Sequence, residues 1–362
     1  MNAGLPGLAA VRASLPGRLP ATAPLMRSVM WALLPGTSLS AWLFGGGVLI
    51  NVLLGVTTAL AAEALALRLR RRPVGATLGD GSAALAGWLL ALCVSPTLPG
   101  WQLVLGVAIA ILLAKHVFGG IGHNPFNPAM VGYAVLLISF PQTMNAWPER
   151  VLQPLPGLSG SSARQAMGSA TGSATGSASG APDWDALTRQ TPLSAWRTAR
   201  LDGGPGGQGR SEPSVSPGPS AAPRPPGQRP ALVAMAWLLG GLWLLARRTI
   251  AWQIPLSVLA ALALCESVAV VAGATTIGPV AAVFSGGAML GAFFIATDPV
   301  SAAASARGRL VYGAGIGVIT FAIRSVGGWP EGIAFGVLLM NGAVPMIDRL
   351  SGRAVRSGRT PP

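Results

Sequence analysis

Charge is what this sequence has least of. Charged residues make up 10% of its 362 positions, where a soluble globular domain carries about 25%. Hydrophobic residues reach 51%, so water is excluded as the main solvent. Cysteine is nearly absent too: Cys93 and Cys265 each fall inside an apolar run, too few and too isolated for a zinc or iron–sulfur site. No G-x-G-x-x-G opens a helix after a strand, which excludes a nicotinamide-binding βαβ unit within the chain. Acidic residues are scarce, 11 against 25 lysines and arginines, for a formal charge of +14. That excess could point to nucleic acid, but its placement argues otherwise. The arginines cluster between apolar runs, at Arg68–Arg72, Arg247–Arg248, Arg307–Arg309 and along the tail from Arg349 to Arg359. Such clusters in short loops mark the cytoplasmic face of a membrane protein.

What is present is a series of apolar runs, several approaching the roughly 20 residues that cross a bilayer core as a helix. Hydrophobic periodicity predicts an all-α polytopic membrane protein with about ten helices, near 29–46, 48–67, 82–97, 101–118, 129–145, 231–246, 252–272, 278–296, 309–325 and 332–347. Gly45–Gly47 are the only punctuation between the first two. Met1–Leu25 has no apolar run followed by a small-residue cleavage site, so no removable signal peptide is expected. With the N-terminus in the cytoplasm, every short arginine-rich loop falls on the same side. The expected organisation is a cytoplasmic segment 1–28, a first membrane half 29–146, an outer-side loop 147–230, a second half 231–347 and a cytoplasmic tail 348–362.

The outer loop is rich in Gly, Ser, Ala and Pro, including GSATGSATGSASG, a composition that buries too little apolar surface to order itself. Within it the island DWDALTRQTPLSAW (Asp183–Trp196) carries two tryptophans and two leucines, as if something were held there. The two halves echo each other: Lys115-His116-Val117-Phe118-Gly119-Gly120 beside Arg324-Ser325-Val326-Gly327-Gly328, and Gly87 with Ser95-Pro96 beside Gly291 with Asp298-Pro299. If each half holds five helices, the halves run in opposite senses. That is a five-plus-five inverted repeat, in which broken helices meet at a functional centre.

Two stretches break the helical pattern. GGIGHNPFNPAMVGYAVLLISFP (Gly119–Pro141) is dense in Gly and Pro, and irregular backbone at membrane depth is tolerated only where it is buried or lines a cavity. Its Asn124 and Asn127 offer amide donors and acceptors to a polar heteroaromatic ligand, or else cap the helix at Ala129. GGAMLGAFFIATDPVSAAASARGRLVYG (Gly286–Gly313) places Asp298 where it can hold a cation or proton, or serve as a helix cap. A charge in hydrocarbon costs at least about 2.5–3.5 kcal/mol and is usually paired or functional. Glu63, about a turn before Arg68, and Asp348, beside the tail, read as interfacial; Glu266, deep in 252–272, does not. Glu266 and Asp298 are the candidates for an ion path.

These two stretches, with RSVGGWPEGIAFGVLLMNGAVPMIDR (Arg324–Arg349), closely resemble the D-subunit family of the Rnf electron-transport complex. The B subunit of the sodium-translocating NADH:quinone reductase is a more distant match. The resemblance runs from about Met26 to Arg349 apart from the linkers. It implies a multi-pass bacterial inner-membrane subunit with cytoplasmic termini and a periplasmic loop, in a ferredoxin:NAD oxidoreductase complex that moves ions. Such a chain is part of a translocase and has no complete activity alone. Its partners would be subunits of the A, B, C, E and G types, the bilayer, and a flavin transferase for maturation; no nucleic acid is implied.

The resemblance further implies flavin mononucleotide (FMN) joined through its phosphate to a threonine in an outer-side motif of the form D-x-x-[ST]-G/M-A-T-P-L. The matching residues are Asp185, Thr188, Thr191, Pro192 and Leu193, so Thr191 is the implied attachment site. By resemblance to the reductase B subunit, Asn124 and Asn127 would contact a non-covalent riboflavin. Arg189 and Gln190 stand where the family has small residues, and Pro/Gly-rich sequence around Gly203–Pro230 replaces a G-S-x-G-E-T segment. Two other readings stay open: a flavin-free structural subunit of the same complex, and a passive solute channel or transporter.

Overall fold

The computed structural model describes residues 22–120, 122–145, 228–273, 278–326 and 332–356, and among them the regular structure is entirely helical. Helix α1 spans Thr22–Phe44 and α2 spans Gly47–Leu69. Gly45, at φ 98°, makes the turn between them, a conformation that glycine adopts without a Cβ penalty. The short α3 (Val74–Leu78) precedes α4 (Ser82–Cys93), and α5 (Gly100–Ile109) runs on into a π-helical stretch, Ala110–Val117. Next come α6 (Pro128–Ser139) and α7 (Pro141–Asn145). The second half holds α8 (Gln228–Ala246), α9 (Gln253–Val271), α10 (Pro279–Val283), α11 (Ala288–Leu290) with a π-helical continuation Gly291–Ile295, α12 (Ala306–Val326) and α13 (Ile333–Arg356).

Four stretches, Gly47–Leu69, Gly100–Val117, Gln253–Val271 and Ile333–Ser351, are long and apolar enough to cross a membrane. Residues 278–296, read from the sequence as one helix, are two short pieces separated by a turn. Arg324 donates from its guanidinium to the carbonyls of Ala282 (2.9 Å) and Ser285 (3.2 Å) at that break. Carbonyls freed by a broken helix need such donors when they lie away from water.

Small residues bring the helices close, as expected where lipid supplies no hydrophobic drive between them. A Cβ on Gly55 of α2 would lie 2.7 Å from the carbonyl oxygen of Gly87 on α4, and one on Gly132 of α6 would lie 2.7 Å from that of Gly106 on α5. The contacts also fix directions. Gly36 meets Trp237 while Gly240 meets Ala32, so α1 and α8 are antiparallel. Gly313 meets Ser257 while Gly317 meets Ala261, so α9 and α12 are parallel. The core is a continuous apolar cluster in which Leu33, Leu90, Leu103, Leu136, Val258 and Tyr312 are fully enclosed.

The arginine clusters close two helices. Arg71 and Arg248 adopt the left-handed conformation, at φ 52° and 54°. The next N–H in each case reaches back five residues, from Arg72 to Leu67 and from Thr249 to Leu244. This C-terminal closure satisfies carbonyls that the helix leaves unpaired, and it sets cations at the negative end of the helix dipole.

Candidate functional site

Six helix ends converge on one cavity. Leu25, Met26 and Val29 enter from the start of α1, Ser82 and Leu85 from the start of α4, and Lys115 from the π-helical end of α5. Asn124, Asn127 and Pro128 come from the start of α6, Thr249 and Ile250 from beyond α8, and Phe294, Thr297 and Asp298 from the second π-helical stretch and the turn after it. The space is about 720 Å³, its open mouth included. Small-molecule sites are mostly apolar with a few placed polar groups. Leu25, Met26, Val29, Leu85 and Phe294 supply apolar lining, and Ser82, Lys115, Asn124, Asn127, Thr297 and Asp298 supply polar groups.

Asn127 is the N-cap of α6. Its Oδ1 accepts from the N–H of Ala129 (3.0 Å) and Met130 (3.3 Å), satisfying two orphan donors of the first turn. Its Nδ2 donates to the carbonyl of Ile295, 3.3 Å away in the other half of the chain. Asn124 donates from Nδ2 to Phe126 O at 3.0 Å. After these bonds Asn124 keeps its Oδ1 and one N–H for a ligand, and Asn127 keeps one N–H.

Asp298 lies in the turn after the second π-helical stretch. It accepts from Val300 N (3.2 Å) and from Ser301 Oγ (3.0 Å). Burial raises its carboxyl above the ordinary carboxylate range, against those two hydrogen bonds and the nearby Lys115 ammonium, all of which favour the charged form.

The charged centre of the site joins Glu63, Lys115 and His116, three ionisable residues that the sequence places within or at the ends of apolar runs. Glu63, read there as interfacial, is fully buried, and its Oε1 lies 2.6 Å from Lys115 Nζ. Lys115 also donates to Ser82 Oγ at 2.7 Å, and Ser82 in turn donates to Asp80 Oδ1 at 2.6 Å. His116 Nε2 stands 3.6 Å from the same Glu63 oxygen. The burial of Glu63 has a visible cause: Gly55, Ala59 and Glu63 fall four residues apart on the buried face of α2, the face that meets α4. Spacing from the small residues, rather than distance from Arg68, was the informative signal.

Of the residues singled out from sequence, the cavity thus gathers Asn124, Asn127 and Asp298, and adds Lys115, Ser82 and Thr297. Glu266 is buried in α9 but does not line the cavity. Asp348 is half-buried and accepts from the N–H of Ala304 at 3.1 Å, tying the turn before α12 to α13. Thr191, Asp185 and Thr188 lie outside the described residues. Among the described residues no group of three or more His, Cys, Asp or Glu side chains could hold a metal ion.

Comparison with known proteins adds the context. The profile of the NQR2, RnfD, RnfE family matches residues 20–356. The D subunit of the ion-translocating oxidoreductase complex of Escherichia fergusonii is 42% identical over 330 residues, covering 90% of this chain and 92% of the relative. Its counterpart in Cronobacter sakazakii matches to the same extent at 42%. That of Escherichia coli strain SE11 is 43% identical over 335 residues, covering 90% of this chain and 92% of its own.

Proposed function

The chain belongs to the NQR2, RnfD, RnfE family, and on that premise we propose that it is the D-type membrane subunit of a bacterial ion-translocating electron-transport complex, carrying FMN on Thr191. The observation that carries the reading is the near end-to-end likeness to subunits named for such a complex. In this reading the complex lies in the inner membrane, passes electrons between ferredoxin and NAD, and holds this chain beside subunits of the A, B, C, E and G types. The antiparallel pairing of α1 with α8, the first long helix of each half, supports ten crossings in two oppositely oriented halves.

During maturation by a flavin transferase the Thr191 hydroxyl would attack the flavin-side phosphorus of FAD, giving up its proton to a base of the transferase; the P–O–P link would break, AMP would leave, and FMN would be held through a phosphoester. The isoalloxazine then supplies one- and two-electron chemistry that no side chain has. The cavity takes a second, non-covalent flavin such as riboflavin. Its apolar lining would suit the hydrocarbon part of the ring, and Asn124 and Asn127 would offer hydrogen bonds to its carbonyl and N–H groups. Glu266 and Asp298 belong to the ion path, so Glu266→Gln and Asp298→Asn complexes are expected to lose ion movement; normal pumping by both removes them from it.

The decisive experiment is flavin fluorescence of the denatured subunit in a gel, with mass spectrometry of the Asp183–Trp196 peptide. Wild-type protein from cells with an active flavin transferase is expected to fluoresce, with a flavin phosphoester on Thr191, and Thr191→Ala to be dark. Dark wild-type protein would leave the chain a flavin-free packing subunit. Fluorescence that survives Thr191→Ala would move the attachment elsewhere.

A further inference from the structure

Lys115 stands at the boundary between the cavity and a buried carboxylate. Its ammonium is held from the cavity side by Ser82, 2.7 Å away and itself part of the wall, and from behind by Glu63 at 2.6 Å. The two charged side chains are 4% and 0% exposed. The second oxygen of Glu63 makes no hydrogen bond among the described residues, nor does His116 Nε2. A pair this deep loses most of its hydration, and apolar residues of similar size would often serve stability as well or better. Its position next to the cavity gives it another use. Lys115 is also delivered by a π-helical stretch, Ala110–Val117, the kind of helix irregularity that recurs at functional sites because it re-aims side chains.

We propose that Lys115 and Glu63 act as a pair of opposed positioning charges that set how readily an electron enters the cavity. This rests on the reading that a non-covalent flavin occupies it. The ammonium on the wall attracts incoming negative charge, and the carboxylate behind it tempers that attraction. The step moves one electron from a one-electron carrier of the complex onto the flavin, breaks no bond and moves no proton. The added charge is countered where Lys115 already stands, so nothing needs to reorganise. Unit charges a few Å apart at an effective dielectric constant of about 20 interact strongly enough to change such an equilibrium by tenfold or more. For one electron, tenfold corresponds to about 59 mV.

The two residues therefore make predictions of opposite sign. The full-length Thr191→Ala chain in lipid nanodiscs, loaded with riboflavin, is titrated potentiometrically by absorbance. Lys115→Met is expected to lower the one-electron potential of the bound riboflavin by the equivalent of tenfold, and Glu63→Gln to raise it by a smaller amount, because the carboxylate stands behind the ammonium and does not line the cavity. Lys115→Arg keeps the charge and is expected to stay near wild type. Because Lys115→Met leaves a carboxylate buried alone, the Lys115→Met/Glu63→Gln double variant, which has no unpaired charge, provides a second reading and is expected below wild type. Shifts of the same sign in the two single variants, or a double variant at the wild-type potential, overturn the proposal while leaving the flavin site standing. Failure of the unsubstituted cavity to bind riboflavin overturns both.

Discussion

Asn127 serves two structural purposes with one side chain. It caps α6 through Oδ1 and joins the two halves of the chain through Nδ2. Loss of an N-cap typically costs about 0.5–2 kcal/mol, and Asn127→Ala also removes the link to Ile295. The expected result is a lower unfolding temperature of the detergent-solubilised protein, followed by size-exclusion chromatography after heating. Asn127→Asp keeps the capping oxygen and loses only the inter-half bond, so it is expected to fall between the two. An Asn127→Ala protein as heat-resistant as wild type would mean that neither bond matters. By sequence alone this asparagine is either a cap or a ligand, because one amide can do both. Only the position of Ile295, brought across from the second half, showed how much of the amide is already used.

Between α2 and α4 the decisive feature is backbone against backbone. Gly55 and Gly87 face each other so closely that a side chain on either would strike the other's carbonyl. No rotamer change relieves a backbone clash, so the usual overpacking cost of about 1–3 kcal/mol is a lower bound. Gly87→Val is expected to yield little monodisperse protein by size exclusion. Gly46→Ala, where an added methyl meets nothing within 4 Å, is expected to behave as wild type. Equal yields from the two would show that α2 and α4 are not in close contact. Much at this level was legible: the predicted segments 48–67 and 101–118 nearly coincide with Gly47–Leu69 and Gly100–Val117. The π-helical stretches were not. A widened turn shifts the facing of residues by a fraction of a turn, which an apolar run with no polar face does not record.

For the molecule in its membrane, the arginine clusters predict which ends face the cytoplasm. With Cys93 and Cys265 replaced by alanine, single cysteines at Arg70 and Arg307 are expected to resist a membrane-impermeant maleimide in intact spheroplasts. They should react in inverted vesicles, and a cysteine at Ser161 should do the reverse. Labelling of all three from one side would mean that the crossings are miscounted. The sequence by itself determined the solvent, the apolar segments and the family, because the length of an apolar run and the charges flanking it are local properties judged against a bilayer of constant thickness. Only the tertiary structure decided which helix ends share a cavity and that Glu63 meets Lys115. These partners lie 52 residues apart, and Asn127 and Ile295 lie 168 apart. Their meeting depends on how each helix is rotated and shifted against its neighbours, a matter settled by the packing of small residues across interfaces that no single segment contains.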